Sequence, residues 1–116
     1  MKTTKAQFEQ FKGAFLKYQE LLGLQQYKVY FTHEKDDDNF ATIRAHPESA
    51  AAEVNFGAEC GKIDLPFLDP SGSGKHEAMH LLLAKIRYLA DKRYCMAREI
   101  DEEDEFITRV LEKVIP

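Results

Sequence analysis

His76-Glu77-Ala78-Met79-His80 spells H-E-x-x-H, with the apolar run Leu81-Leu82-Leu83 directly behind it. On a helix, positions four apart lie one turn above each other, so His76 and His80 offer two imidazoles to one point in space. Two such imidazoles suit a divalent metal, Zn2+ above all, and Glu77 beside them is placed to take a proton from a metal-bound water without binding the metal. The string thus specifies a hydrolytic chemistry and leaves one requirement open, a third protein ligand.

That ligand must come from another element, and the last segment has the acids. Glu99 to Pro116 reads as a helix with Asp101, Glu102, Glu103, Asp104 and Glu105 in its first turns, where the helix dipole favours them. Its apolar face is Phe106, Ile107, Val110, Leu111, Val114 and Ile115. Glu103 falls inside that face, whereas Glu105 points almost opposite and Asp101 and Glu102 fall well off it. A carboxylate aimed at a core needs a compensating partner, and a cation held by two imidazoles is one. Glu103 is therefore the candidate third ligand, with Glu102, Asp104 and Glu105 competing for the place.

The motif helix is expected from about Lys75 to Asp91, with Met79, Leu82, Leu83, Ile86, Leu89 and Ala90 as its apolar stripe, His76 and His80 at the stripe's edge and Glu77 just beyond it. Ahead of it, Phe8, Phe11, Phe15, Tyr18, Leu21 and Leu22 recur at helical spacing and predict an amphipathic helix from about Thr4 to Leu22, capped by Thr3 or Thr4 and ended by Gly23. Tyr27 to His33, Phe40 to Ala45 and Ala51 to Phe56 read as three strands, joined by the acidic turn Glu34 to Asn39 and the loop His46 to Ser49. Short connections between consecutive strands favour an antiparallel meander. His33 and His46, at strand ends or in loops, are expected to be exposed. Gly57 to Gly74 is punctuated by Gly and Pro and reads as an irregular lead-in, with Asp69-Pro70 or Ser73 able to start the helix that follows. The expected class is α+β, with an N-terminal helix, a three-stranded mainly antiparallel sheet, the motif helix and a C-terminal helix carrying the third ligand.

Composition narrows the function. At 116 residues the chain is expected to be a single domain, residues 1–116, with apolar and charged fractions of 44% and 31% that are ordinary for a folded protein. A net charge of −4 without a dense Lys/Arg tract argues against a nucleic-acid partner. No continuous apolar stretch follows the N-terminus, so neither a signal peptide nor a membrane span is expected, and the location expected is cytoplasmic. Cys60 and Cys95 lack any C-x-x-C spacing and read as reduced thiols. Asp36-Asp37-Asp38 lacks the Gly and terminal Glu of a calcium-binding EF-hand loop, and Ser71-Gly72-Ser73-Gly74-Lys75 lacks the first Gly and the Ser/Thr of a phosphate loop.

On His76, Glu77, His80 and the Glu103 region, the sequence resembles the gluzincin branch of zinc metallopeptidases. In element order it is similar to small zincin-like proteins of phages and prophages, and more distantly to the ImmA/IrrE and SprT-like peptidase domains. The resemblance implies a minimal zincin-like fold, zinc ligands His76, His80 and Glu103, and Glu77 as general base. The function expected on that footing is a zinc-dependent metallopeptidase, whose protein or peptide substrate pairs with an exposed sheet edge at Ala51 to Phe56 while Tyr94 or Tyr88 packs or steadies the oxyanion. The alternative is a zinc-stabilised structural or regulatory interaction protein of phage origin without activity. Oligomeric state is not set by the sequence.

Overall fold

The computed structural model describes residues 1–37, 39–61, 68–92 and 94–115. Its elements in chain order are α1 (Lys5–Leu21), β1 (Lys28–Thr32), β2 (Ala41–His46), a 3-10 turn (Pro47–Ser49), β3 (Ala51–Phe56), α2 (Pro70–Asp91) and α3 (Ala97–Val114). Part of the expected lead-in to the motif, residues 62–67, lies outside the described residues, as do Asp38 of the acidic turn, Arg93 and Pro116.

Helix α1 begins at a capping box. The Thr4 side chain accepts from the Gln7 N–H at 3.1 Å and the Gln7 side chain accepts from the Thr4 N–H at 2.8 Å. Phe11 and Phe15 are fully buried on its inner face, and Gln19, also buried, donates to the carbonyls of Leu24 and Tyr27 and so fastens the link into β1.

The sheet departs from a meander. Its order is β1-β3-β2, with β3 antiparallel to β2 and parallel to β1. Ala51 to Phe56, expected at an edge, is therefore the central strand, and β1 and β2 are the edges. The register aligns Val29, Phe31, Ala41, Ile43 and Ala45 with Ala52, Val54 and Phe56 on one face, which packs on the helices. The alternation of apolar and polar residues fixes which face is buried but is the same for either strand order.

His33 is half-buried rather than exposed, because its ring stacks on Phe8 at 4.8 Å and lies 5.6 Å from that of Phe56. The Thr3 hydroxyl donates to the Gly57 carbonyl at 2.7 Å, so it accepts from His33 Nε2–H, also at 2.7 Å, and the hydrogen on His33 is assigned to Nε2.

The α+β arrangement of one helix, a three-stranded sheet and two more helices is present. The zincin-like assignment does not hold. The motif helix and α3 fail to bring their donors together, and among the described residues no group of three or more His, Cys, Asp or Glu is placed to hold a metal ion.

A candidate site at an unpartnered glutamate

Helix α2 starts a turn earlier than its glycines suggest. Asp69 caps it by accepting the Gly72 N–H at 3.0 Å, and Pro70 occupies its first turn. Gly74 is not a breaker but a contact residue. A Cβ there would overlap the Phe11 carbonyl oxygen and come within 3.0 Å of the Phe15 nitrogen, so α2 lies directly on the backbone of α1.

That close approach sets the rotation of α2. Its buried residues are Gly74, Glu77, Ala78, Leu81, Leu82 and Leu89. This face is turned by about 100° from the stripe of larger apolar residues read from the sequence, and Leu83 of that stripe is exposed. The missing side chain at Gly74 admits α1, and Glu77, about 60° around the helix from Gly74, is carried inward. His76 and His80 are exposed, with their Nε2 atoms 3.2 Å apart. With both rings neutral, one Nε2 donates and the other accepts, which leaves the donor ring a lone pair on Nδ1.

Glu77 retains only 6% of its accessible surface. Among the described residues none donates a hydrogen bond to its carboxyl and no Lys or Arg pairs with it, while its oxygens keep contact with the space outside. Burial raises its pKa above the ordinary carboxylate value, and the neighbouring His80 and His76 only partly offset this. The space it opens onto is a cleft between α2 and β2. On one side of Glu77 and His76 lies a recess of about 440 Å³, lined also by Phe40, Ala41, Asp69, Gly72 and Ser73. On the other side a trough of about 860 Å³ runs past Ile43, Ala45, His80, Leu83 and Ala84 towards Asp91.

Glu103, at 6% exposure, is the buried acid of α3, in keeping with its helical phase. What it meets is Lys85, whose Nζ lies 3.8 Å from Oε2, in a niche formed by Tyr27, Leu81, Leu82 and Phe106. Lys85 is five residues past His80, about 140° around the helix and about 7.5 Å along it. Burial raises the Glu103 carboxyl, with Lys85 pulling it back. Burial and then the Glu103 charge raise the neighbouring Tyr27 phenol.

These placements correct the expected chemistry. His76 and His80 are together and Glu77 is beside them, but Glu103 faces a different side of α2 and is satisfied by an ammonium. The three-ligand zinc site is not assembled, and with it go the metallopeptidase, the Zn2+ cofactor, the protein or peptide substrate and the zinc-stabilised alternative. Tyr94 is exposed, and Tyr88 lines the trough beneath the Lys92 ammonium, 5.2 Å from its ring. Phe40 and Ala41, which complete the recess, carried no sequence signal beyond a strand pattern.

Comparison with known proteins agrees with this correction. No family model matches the chain, and no curated protein and no solved structure matches it. The phage zincin-like, ImmA/IrrE and SprT-like resemblance is therefore without support. No helix of the described residues is long and apolar enough to cross a membrane.

Proposed function

We propose that the chain, acting as one domain, is a binding module for organic amines, with Glu77 as the anionic anchor and one imidazole of the His76–His80 pair as a flanking acceptor. One observation carries this reading: the Glu77 carboxyl is more than nine-tenths buried, lacks a partner among the described residues, and opens onto a cleft. A buried carboxylate without a cation is costly, and perturbed groups of this kind concentrate at binding sites. A ligand ammonium supplies the missing charge. Its three N–H donors match the carboxylate and an imidazole lone pair, and its alkyl body suits the apolar walls at Ala41, Ile43, Ala45 and Ala84. A cytoplasmic setting belongs to the same reading and is supported by Cys60 and Cys95, both free thiols.

Calorimetric titration with hexylamine at neutral pH tests it. The native protein binds, and Glu77→Gln, which keeps the shape and removes the charge, loses about tenfold or more in affinity. Hexanoate, of opposite charge, does not bind. Equal affinity of the native and Glu77→Gln proteins for hexylamine overturns the proposal.

A further inference from the structure

We infer that the preferred ligand is a linear aliphatic diamine lying in the recess, with one ammonium on Glu77 and the other on Asp69. This rests on the amine-binding reading and names the ligand within it. The recess of about 440 Å³ is lined by two carboxylates, and no lysine or arginine stands among its described lining residues. Asp69 spends one oxygen on the Gly72 N–H, and among the described residues no Lys or Arg pairs with it. A carboxylate oxygen engaged in an N-cap retains further acceptor capacity, so a ligand ammonium at Asp69 leaves the cap in place.

Spacing and lining select the ligand's middle. Glu77 follows Asp69 by eight positions, a rise of about 12 Å along α2, so a second ammonium reaches Asp69 only at the end of an extended chain. The recess that holds the two acids is also walled by Phe40 and Ala41, and the Phe40 ring is held edge-on against Phe56 with centroids 5.2 Å apart. An aromatic ring and a methyl group suit methylenes and favour a passing cation over an anion. Ser73 adds a hydroxyl to the lining of the recess.

The two anchors are unequal. Asp69 is exposed and Glu77 is buried, so Glu77 decides whether an amine binds and Asp69 decides which one. Diaminobutane, diaminohexane and diaminooctane are titrated beside hexylamine at neutral pH, where both amino groups are protonated. A diamine that spans the recess binds about fivefold or more tighter than hexylamine, beyond the roughly twofold statistical advantage of having two ends, and a diamine too short to span does not exceed that factor. Asp69→Asn keeps an N-cap acceptor and so the helix start. It brings the spanning diamine down to about twofold over hexylamine and leaves hexylamine itself unchanged. Diamines of every length within twofold of hexylamine, or an advantage that survives Asp69→Asn, overturn the assignment while leaving the monoamine site standing. Absence of binding by hexylamine and the diamines alike overturns both.

Discussion

Glu77 of α2 and Glu103 of α3 are buried to the same degree on different sides of α2, yet among the described residues only Glu103 has a cation beside it. Glu103 faces the C-terminal half of α2, where Lys85 reaches it from a largely exposed position. Glu77 sits in the N-terminal half, near the contact of Gly74 with α1, and opens onto the cleft between α2 and β2. The lesson is that burial alone does not mark a site. Burial at Glu103 is resolved inside the fold, whereas at Glu77 it is left open on the side of a cleft, where a ligand can resolve it.

Substitutions at four positions bear on this contrast, beginning with the one that moves the most. Gly74→Val forces a branched side chain into the α1 backbone and costs about 3 kcal/mol, read as a lowered urea midpoint, and Gly74→Ala costs less because better helix propensity offsets part of the overlap. A neutral effect of Gly74→Val would argue against the close approach of α2 to α1 that sets the rotation of Glu77.

Next comes Lys85→Met, which leaves Glu103 without its ammonium. Because Lys85 is mostly exposed, solvent screens the pair, and the expected loss at neutral pH is about 1 kcal/mol. Adding Glu103→Gln restores most of it, which a double-mutant cycle measures as positive coupling.

Glu77→Gln has the opposite sign, a gain of about 1 kcal/mol at neutral pH, because a buried uncompensated charge is removed. Its pH dependence follows from the raised pKa. The folded state holds the Glu77 proton more tightly than the unfolded chain, whose value is near 4.5. Below that value the native carboxyl is neutral in both states and carries no penalty. The penalty grows as pH rises from there through the raised folded value, and is complete above it. The gain from Glu77→Gln is therefore greatest at neutral pH and vanishes on acidification. A gain that is constant with pH would assign it to shape rather than charge. The smallest effect is expected for Lys85→Arg, within about 0.5 kcal/mol of native stability, since the cation beside Glu103 is kept.

Much of this architecture was legible in the residues. The spacing of Phe8, Phe11 and Phe15, the alternation in all three strands and the inward phase of Glu103 are each local patterns, and a local pattern needs no knowledge of the neighbours. Three things were not local. The strand order depends on partners, and the same alternation serves β3 at the centre or the edge. Gly72 and Gly74 are indistinguishable from breakers until α1 is seen lying on Gly74. The phase of Glu103 gives its direction from α3 but not the level of α2 it meets, and an offset of about 1.4 turns from His80 turns a metal ligand into the partner of Lys85. The H-E-x-x-H string itself misled because its spacing is a property of any helix, and only the rotation of α2 decides whether Glu77 or the histidines face inward.

The parallel pairing of β1 with β3 also governs the order in which the chain can assemble. β1 and β2 are neighbours in sequence but never touch as strands, since β3 lies between them. A nascent chain that ends before Ala51 has both outer strands and nothing to pair them, so no hairpin forms early to serve as a template. The sheet condenses only when Ala51–Phe56 arrives to bond with both at once, and α1 with its phenylalanines must wait beside unpaired strands until then. Folding of the sheet is thus gated by its middle strand, and substitutions at Val54, which pairs with Phe31 on one side and Ile43 on the other, will slow folding more than they speed unfolding.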